Sequence, residues 1–143
     1  FTKLDVERVD FDQLLEQADF ISIHTPLTDE TTNLFGKEAF MRMKPEALLI
    51  NTARGPLVDI DALAQALEAG EIAGAALDVL PQEPPPDDCP LFGRDDVILT
   101  PHTGFYSADA LLDLQTTVAA DVASVLNGES PRFPVNPEVR DLK

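Results

Sequence analysis

A few side chains in this sequence have the chemistry to do more than pack. There are two histidines, and His102 follows Pro101 at the end of an apolar run, a rigid mount. An imidazole titrates near neutral pH, so it can take and give a proton within one cycle. Glu83 is a candidate partner to hold that ring. Arg54 ends the stretch Leu48-Leu49-Ile50-Asn51-Thr52-Ala53-Arg54-Gly55. Its planar fork matches a carboxylate through two parallel hydrogen bonds. Arginine, histidine and acid together fit a substrate with a carboxylate beside a carbonyl or hydroxyl. Each residue also has a structural reading. Arg54 can pair with an acid inside the fold, His24 can be a strand-end histidine, Asp78 can cap a turn, and Glu83 can be a solvated loop charge. Cys89 lies in an acidic, proline-rich loop, poor surroundings for a thiolate nucleophile. Two widely separated histidines without clustered ligands make no metal cage.

These side chains need a frame, and the apolar pattern supplies one. Residues 6–9 read as a short strand, and Asp10 caps a helix over 11–17 whose Phe11, Leu14 and Leu15 share a face. Residues 20–24 form a strand that Pro26 must end, since proline cannot donate to a ladder. Residues 29–33 are a loop or the start of a short helix, and residues 35–43 form a short helix closed before Pro45. The aliphatic run 47–51 reads as a strand buried on both faces. Asp59 caps a helix to about Ala69, with Ala62, Leu63, Ala66 and Leu67 inward and Gly70 at the left-handed C-cap. Residues 73–80 are a small-residue strand. The segment 81–90 holds five of the twelve prolines and is an ordered or a flexible loop, which composition leaves open. Residues 97–100 are a short buried strand. Residues 107–126 form the longest helix, with Leu111, Leu112, Leu114, Val118, Val122 and Leu126 as its stripe and Gly128 after it.

Strands alternating with helices predict an α/β fold with a parallel sheet. Ligands of such sheets sit beyond the carboxyl ends of the strands. There the four strong strands deliver His24-Thr25, then Thr52-Ala53-Arg54, then Asp78 with Glu83, then His102-Thr103. This convergence of ionisable residues on one edge points to a site.

The length of 143 residues bounds the chain to about one domain, with 44% apolar residues for a core. A formal net charge of −16 repels phosphate backbones and acidic membrane surfaces, which disfavours nucleic-acid and membrane partners. Such acidity with four lysines fits a salt-adapted surface, and a steep loss of stability at low ionic strength is its test. One cysteine, no long apolar run and no leader pattern predict a cytoplasmic protein. The chain opens on Phe1, which fits a fragment or a processed product.

The chain resembles the D-isomer-specific 2-hydroxyacid dehydrogenases through four motifs in family order: ISIHTPLT from Ile21, LLINTARGPLVD from Leu48, GAALDVLPQEPP from Gly74 and VILTPHTG from Val97. The segment PHTGFYS is similar to the C-terminal-binding-protein-like branch, whose members are often described as phosphoglycerate-dehydrogenase-like. The resemblance implies part of a doubly wound, Rossmann-like parallel sheet flanked by helices. It implies that Arg54 binds the substrate carboxylate, that His102 is the acid/base, and that Glu83 orients it. Asp78 would accept a hydrogen bond from the nicotinamide carboxamide. Thr25 and Pro26 would line the adenosine side, with Thr52, Ala53, Thr103 and Gly104 at the nicotinamide end. The implied activity is hydride exchange between NAD, or NADP, and a small 2-hydroxy or 2-oxo acid, in a homodimer. The same branch contains cofactor-gated binding proteins, so an NAD(H)-gated scaffold with little turnover is the alternative. A truncated domain that only dimerises is a third reading.

The seven glycines never fall in the G-x-G-x-x-G spacing that grips a dinucleotide pyrophosphate. Residues 1–128 therefore read as the C-terminal portion of a dinucleotide-binding domain without its first βαβ unit. Residues 129–143 read as an extended tail returning toward a substrate domain. The isolated chain is expected to bind cofactor poorly and be inactive, and to expose an inner strand as an edge that invites pairing.

Overall fold

The computed structural model describes residues 6–136. Helices are α1 (Phe11–Gln17), α2 (Lys37–Phe40), α3 (Ile60–Ala69) and α4 (Ala108–Leu126). Strands are β1 (Phe20–Ile23), β2 (Leu48–Asn51), β3 (Gly74–Leu77) and β4 (Val97–Leu99). All four strands pair in parallel in the order β1-β2-β3-β4, with Ser22, Ile50, Ala76 and Ile98 in register across the sheet. The chain divides into two compact units between Gly104 and Phe105.

Side chains alternate across a strand, so each strand of the first unit shows two rows. Ile21, Ile23, Leu49, Ala75 and Leu77 are buried and join Leu15 of α1, Phe40 of α2 and Leu63, Ala66 and Leu67 of α3 in one core. Complete burial of each large member, such as Leu49 or Leu63, stabilises by about 1.5–3 kcal/mol. The opposite row is open: Phe20 is 68% and Ile98 66% exposed, while Leu48, Ile50 and Ala76 are half-buried. So β2 is buried fully on one face and partly on the other, and β4 is an edge strand instead of a buried one.

Local signals set the helix ends. Asp10 accepts from the Gln13 N–H in a reciprocal capping box, and Asp59 accepts from the Ala62 N–H at 3.0 Å. Gly70 closes α3 at φ 70°, the left-handed conformation glycine adopts without penalty. Residues 6–9 pair with no described strand, so the expected first strand does not form. The helix expected over 35–43 shortens to α2, and Phe35 instead forms a parallel bridge with Val58. The strand expected over 73–80 stops after Leu77, because from Asp78 onward the backbone turns to hold other loops. Between β3 and β4 the proline segment supplies the crossover that parallel strands require. Its end is anchored by buried Cys89 and, just after it, buried Leu91.

The second unit contains α4, capped by the Ser107 hydroxyl on the Ala110 N–H. Gly128 follows it at φ 78°, as expected. No α4 residue is buried, and Leu112, Leu114, Val118, Val122, Val125 and Leu126 are each more than half exposed. The tail beyond residue 136 lies outside the described residues. No described helix is long and apolar enough to cross a membrane.

Candidate active site

The C-terminal ends of β2, β3 and β4 lead into three short segments that meet. At the end of β2, Asn51 is fully buried. Its side-chain oxygen accepts from the Ala53 N–H at 3.0 Å, and its Nδ2 donates to the Arg54 carbonyl at 2.9 Å. Arg54 follows in extended conformation with an exposed side chain whose Nη1 donates to the Ala53 carbonyl. Among the described residues no acid forms an ion pair with Arg54, so the reading of an internally paired arginine is not what the fold builds. Gly55 is buried, and a Cβ there would lie 2.0 Å from the carbonyl carbon of Leu80. Glycine at this position lets two loops touch backbone to backbone.

At the end of β3, Asp78 is 7% exposed and gathers the loop that follows β4. Its Oδ1 accepts from the Thr100 hydroxyl and from the Thr103 N–H at 2.9 Å, and its Oδ2 from the Gly104 N–H at 2.8 Å. The Thr100 hydroxyl, helped by the two backbone donors, holds the Asp78 carboxyl below the usual carboxylate range despite burial. The Asp78 carbonyl also receives the His102 N–H at 2.9 Å. His102 sits at φ 54°, a left-handed conformation uncommon for a non-glycine residue and concentrated at functional sites.

Glu83 joins the segments. Its Oε1 accepts from the Leu80 N–H at 2.9 Å and its Oε2 faces His102 Nδ1 at 2.7 Å. The bond to His102, then the bond to Leu80, keep its carboxyl below the ordinary range. Arg54, Gly55, Glu83 and His102 line one cleft of about 180 Å³. A more apolar cavity of about 340 Å³ shares Asp78, Glu83 and His102 and is walled by Leu80, Phe92 and Leu99.

The structure thus brings together Arg54, Glu83 and His102, and separately Asp78, Thr103 and Gly104. Thr25, Pro26, Thr52 and Ala53 lie at the same edge of the sheet without lining that cleft. The Pro26 carbonyl accepts from the Thr31 hydroxyl at 2.8 Å, which fixes the turn after β1. His24 is exposed and bonded to Ser22. Sequence reasoning missed the parts played by Asn51, Gly55 and Thr100. The one available signal was an amide side chain at the inward-facing end of an otherwise aliphatic strand.

Over residues 1–104 the sequence matches the family described as D-isomer specific 2-hydroxyacid dehydrogenase, NAD binding domain. It is 48% identical over 139 residues to a glyoxylate reductase of Thermofilum pendens, covering 97% of this chain and 41% of that protein. It is 42% identical over 134 residues to a D-3-phosphoglycerate dehydrogenase of Archaeoglobus fulgidus, covering 94% of this chain and 25% of that one. The fold superposes on the crystal structure of D-lactate dehydrogenase with NAD+ from Lactobacillus jensenii with a TM-score of 0.81 at 40% identity, over 89% of this chain and 42% of that structure. The chain therefore spans about two fifths of the length of the glyoxylate reductase it matches. By its sequence, its parallel sheet and its matched extent, the chain belongs to the D-isomer-specific 2-hydroxyacid dehydrogenases, within their NAD-binding domain.

Proposed function

We propose that this chain forms the hydride-transfer side of an NAD-dependent D-2-hydroxyacid dehydrogenase that interconverts a D-2-hydroxy acid and its 2-oxo acid. The carrying observation is the placement of Arg54, Glu83 and His102 around one small cleft. Arg54 presents a fork for the substrate carboxylate. His102 has Nδ1 held by ionised Glu83, and Nε2 is the atom proposed to exchange the proton with the substrate oxygen. During reduction His102 gives that oxygen its proton, and during oxidation it takes the proton back.

The residues at the strand ends fit the nicotinamide end of a dinucleotide. Oδ2 of Asp78 receives one described hydrogen bond, from Gly104, so it keeps acceptor capacity for an amide donor. Thr52 and Thr103 offer exposed side chains at the same edge. Asp78, Thr52, Ala53, Thr103 and Gly104 would hold that end, and Thr25 and Pro26 the adenosine side. Bound there, the cofactor supplies or accepts the hydride. Electrostatic polarisation by Arg54 and a positioned proton at His102 share the lowering of the barrier.

Small unphosphorylated 2-oxo acids are the proposed substrate class, with glyoxylate first because of the similarity to glyoxylate reductases. A cytoplasmic homodimer completes the reading, with the exposed apolar stripe of α4 as a contributor to self-association; light scattering reads its mass. The function is tested by NADH and NADPH oxidation on the polypeptide as its gene encodes it, across a panel of 2-oxo acids. Turnover on one class supports the reading and names the substrate. Cofactor binding without turnover on any acid overturns it in favour of a cofactor-gated binding protein.

A further inference from the structure

A 2-oxo acid carries its carboxylate and its carbonyl on adjacent carbons, so the two groups lie at a fixed separation. A protein that grips one with Arg54 and protonates the other from His102 must hold those residues in register. Misplacement by about 1 Å of a positioned group can cost on the order of a hundredfold in rate. Two routes through the structure link Arg54 to His102. In the first, the Arg54 carbonyl accepts from Asn51 Nδ2 at 2.9 Å, the Asn51 carbonyl accepts from the Asp78 N–H at 2.9 Å, and the Asp78 carbonyl accepts from the His102 N–H at 2.9 Å. In the second, Gly55 lies against the Leu80–Pro81 peptide, the Leu80 N–H bonds to Glu83 Oε1, and Glu83 Oε2 bonds to His102.

We propose that Asn51 is a positioning residue: its buried side-chain amide sets the aim of Arg54, and the Gly55–Leu80 contact carries that register to Glu83 and His102. The proposal rests on the reading of Arg54 as the carboxylate-binding group. The side chain must accept from Ala53 N–H and donate to the Arg54 carbonyl, so it needs an oxygen and an N–H on one short, planar group. Asparagine meets that demand. Aspartate of the same shape keeps the acceptor and lacks the donor, and leucine lacks both. Asn51 is fully buried, so water does not replace its side-chain amide, and an Arg54 carbonyl released from that amide would turn elsewhere and take its side chain along.

The test uses the polypeptide as its gene encodes it, with NADH as cofactor and oxalate as an unreactive carboxylate probe. Asn51→Asp is compared with wild type for oxalate inhibition, KM for the best 2-oxo acid, NADH affinity and thermal midpoint. Asn51→Ser, which shortens the reach without burying a charge, serves if Asn51→Asp does not fold. The expected result is a roughly tenfold weakening of oxalate and rise in KM, with NADH affinity within about twofold of wild type. In an Arg54→Ala background the same Asn51 substitution should add nothing, because its effect passes through the arginine. Unchanged oxalate inhibition in a folded variant, or an effect that adds in full to that of Arg54→Ala, overturns the proposal. Wild-type protein that neither binds oxalate nor reduces any 2-oxo acid overturns the reading of Arg54 itself. Active wild type with indifferent Asn51 variants overturns the positioning role alone.

Discussion

His24 and His102 are the same residue type, each just beyond a strand of one parallel sheet, and the fold treats them in opposite ways. His24 follows β1 with an exposed side chain that meets the Ser22 hydroxyl at 2.8 Å. His102 follows β4 in a left-handed backbone conformation, with its N–H on the Asp78 carbonyl and its ring on Glu83. The flanking loop of His102 is tied by three donors to the carboxylate of Asp78. The difference teaches that strand-end position alone does not fix a histidine ring in place. An acid fixed from a second loop, and a clamp that holds the backbone against its preference, do so.

The largest expected effect separates the two histidines outright. His102→Ala should lower turnover by about a hundredfold or more, the range of positioned acid–base catalysis. His24→Ala should leave kcat within about twofold. Equal losses would break the comparison, and steady-state NADH oxidation reads both. Next comes the ring's partner. Glu83→Gln preserves size and removes the charge, so kcat should fall by about tenfold or more while NADH affinity holds. A Glu83→Gln enzyme with wild-type kcat would reduce Glu83 to loop structure.

The clamp is tested by stability as well as rate. Asp78→Asn replaces an acceptor of three hydrogen bonds with a group that can accept fewer, so unfolding free energy should drop by about 1–3 kcal/mol in denaturant titrations. The pH dependence has a definite sign. Folded Asp78 and Glu83 both sit below their ordinary carboxylate values, so more protons bind the unfolded chain in that window. Their stabilisation is therefore fully present above pH about 5, beyond the ordinary carboxylate values, and is lost as pH falls through the depressed folded values. Wild type should lose stability on acidification more steeply than Asp78→Asn, and parallel acid profiles would count against the clamp. The smallest effect belongs to the other histidine. Ser22→Ala removes an exposed hydrogen bond and should shift stability by less than about 0.5 kcal/mol.

The sequence by itself determined the class of the fold and the edge where chemistry gathers. Apolar runs of four or five residues, broken by Pro26, Gly70 and Pro101, are local signals that need no partner to be read. The caps at Asp10 and Asp59 formed as their types dictate, since a cap bonds within three residues of itself. Arg54, Glu83 and His102 were legible for the same reason, because their side-chain chemistry belongs to the residue and not to its surroundings. Tertiary structure decided what depends on distant neighbours. Whether residues 6–9 pair, how far β3 runs, and whether β4 is covered are questions of which backbone lies alongside. Likewise the parts of Asn51, Gly55, Thr100 and Asp78 exist through atoms up to 27 residues away, the span from Asn51 to Asp78. A buried amide and a glycine look ordinary in a sequence. They become a frame when three strand ends converge and the unmet hydrogen-bond groups of their loops must find one another.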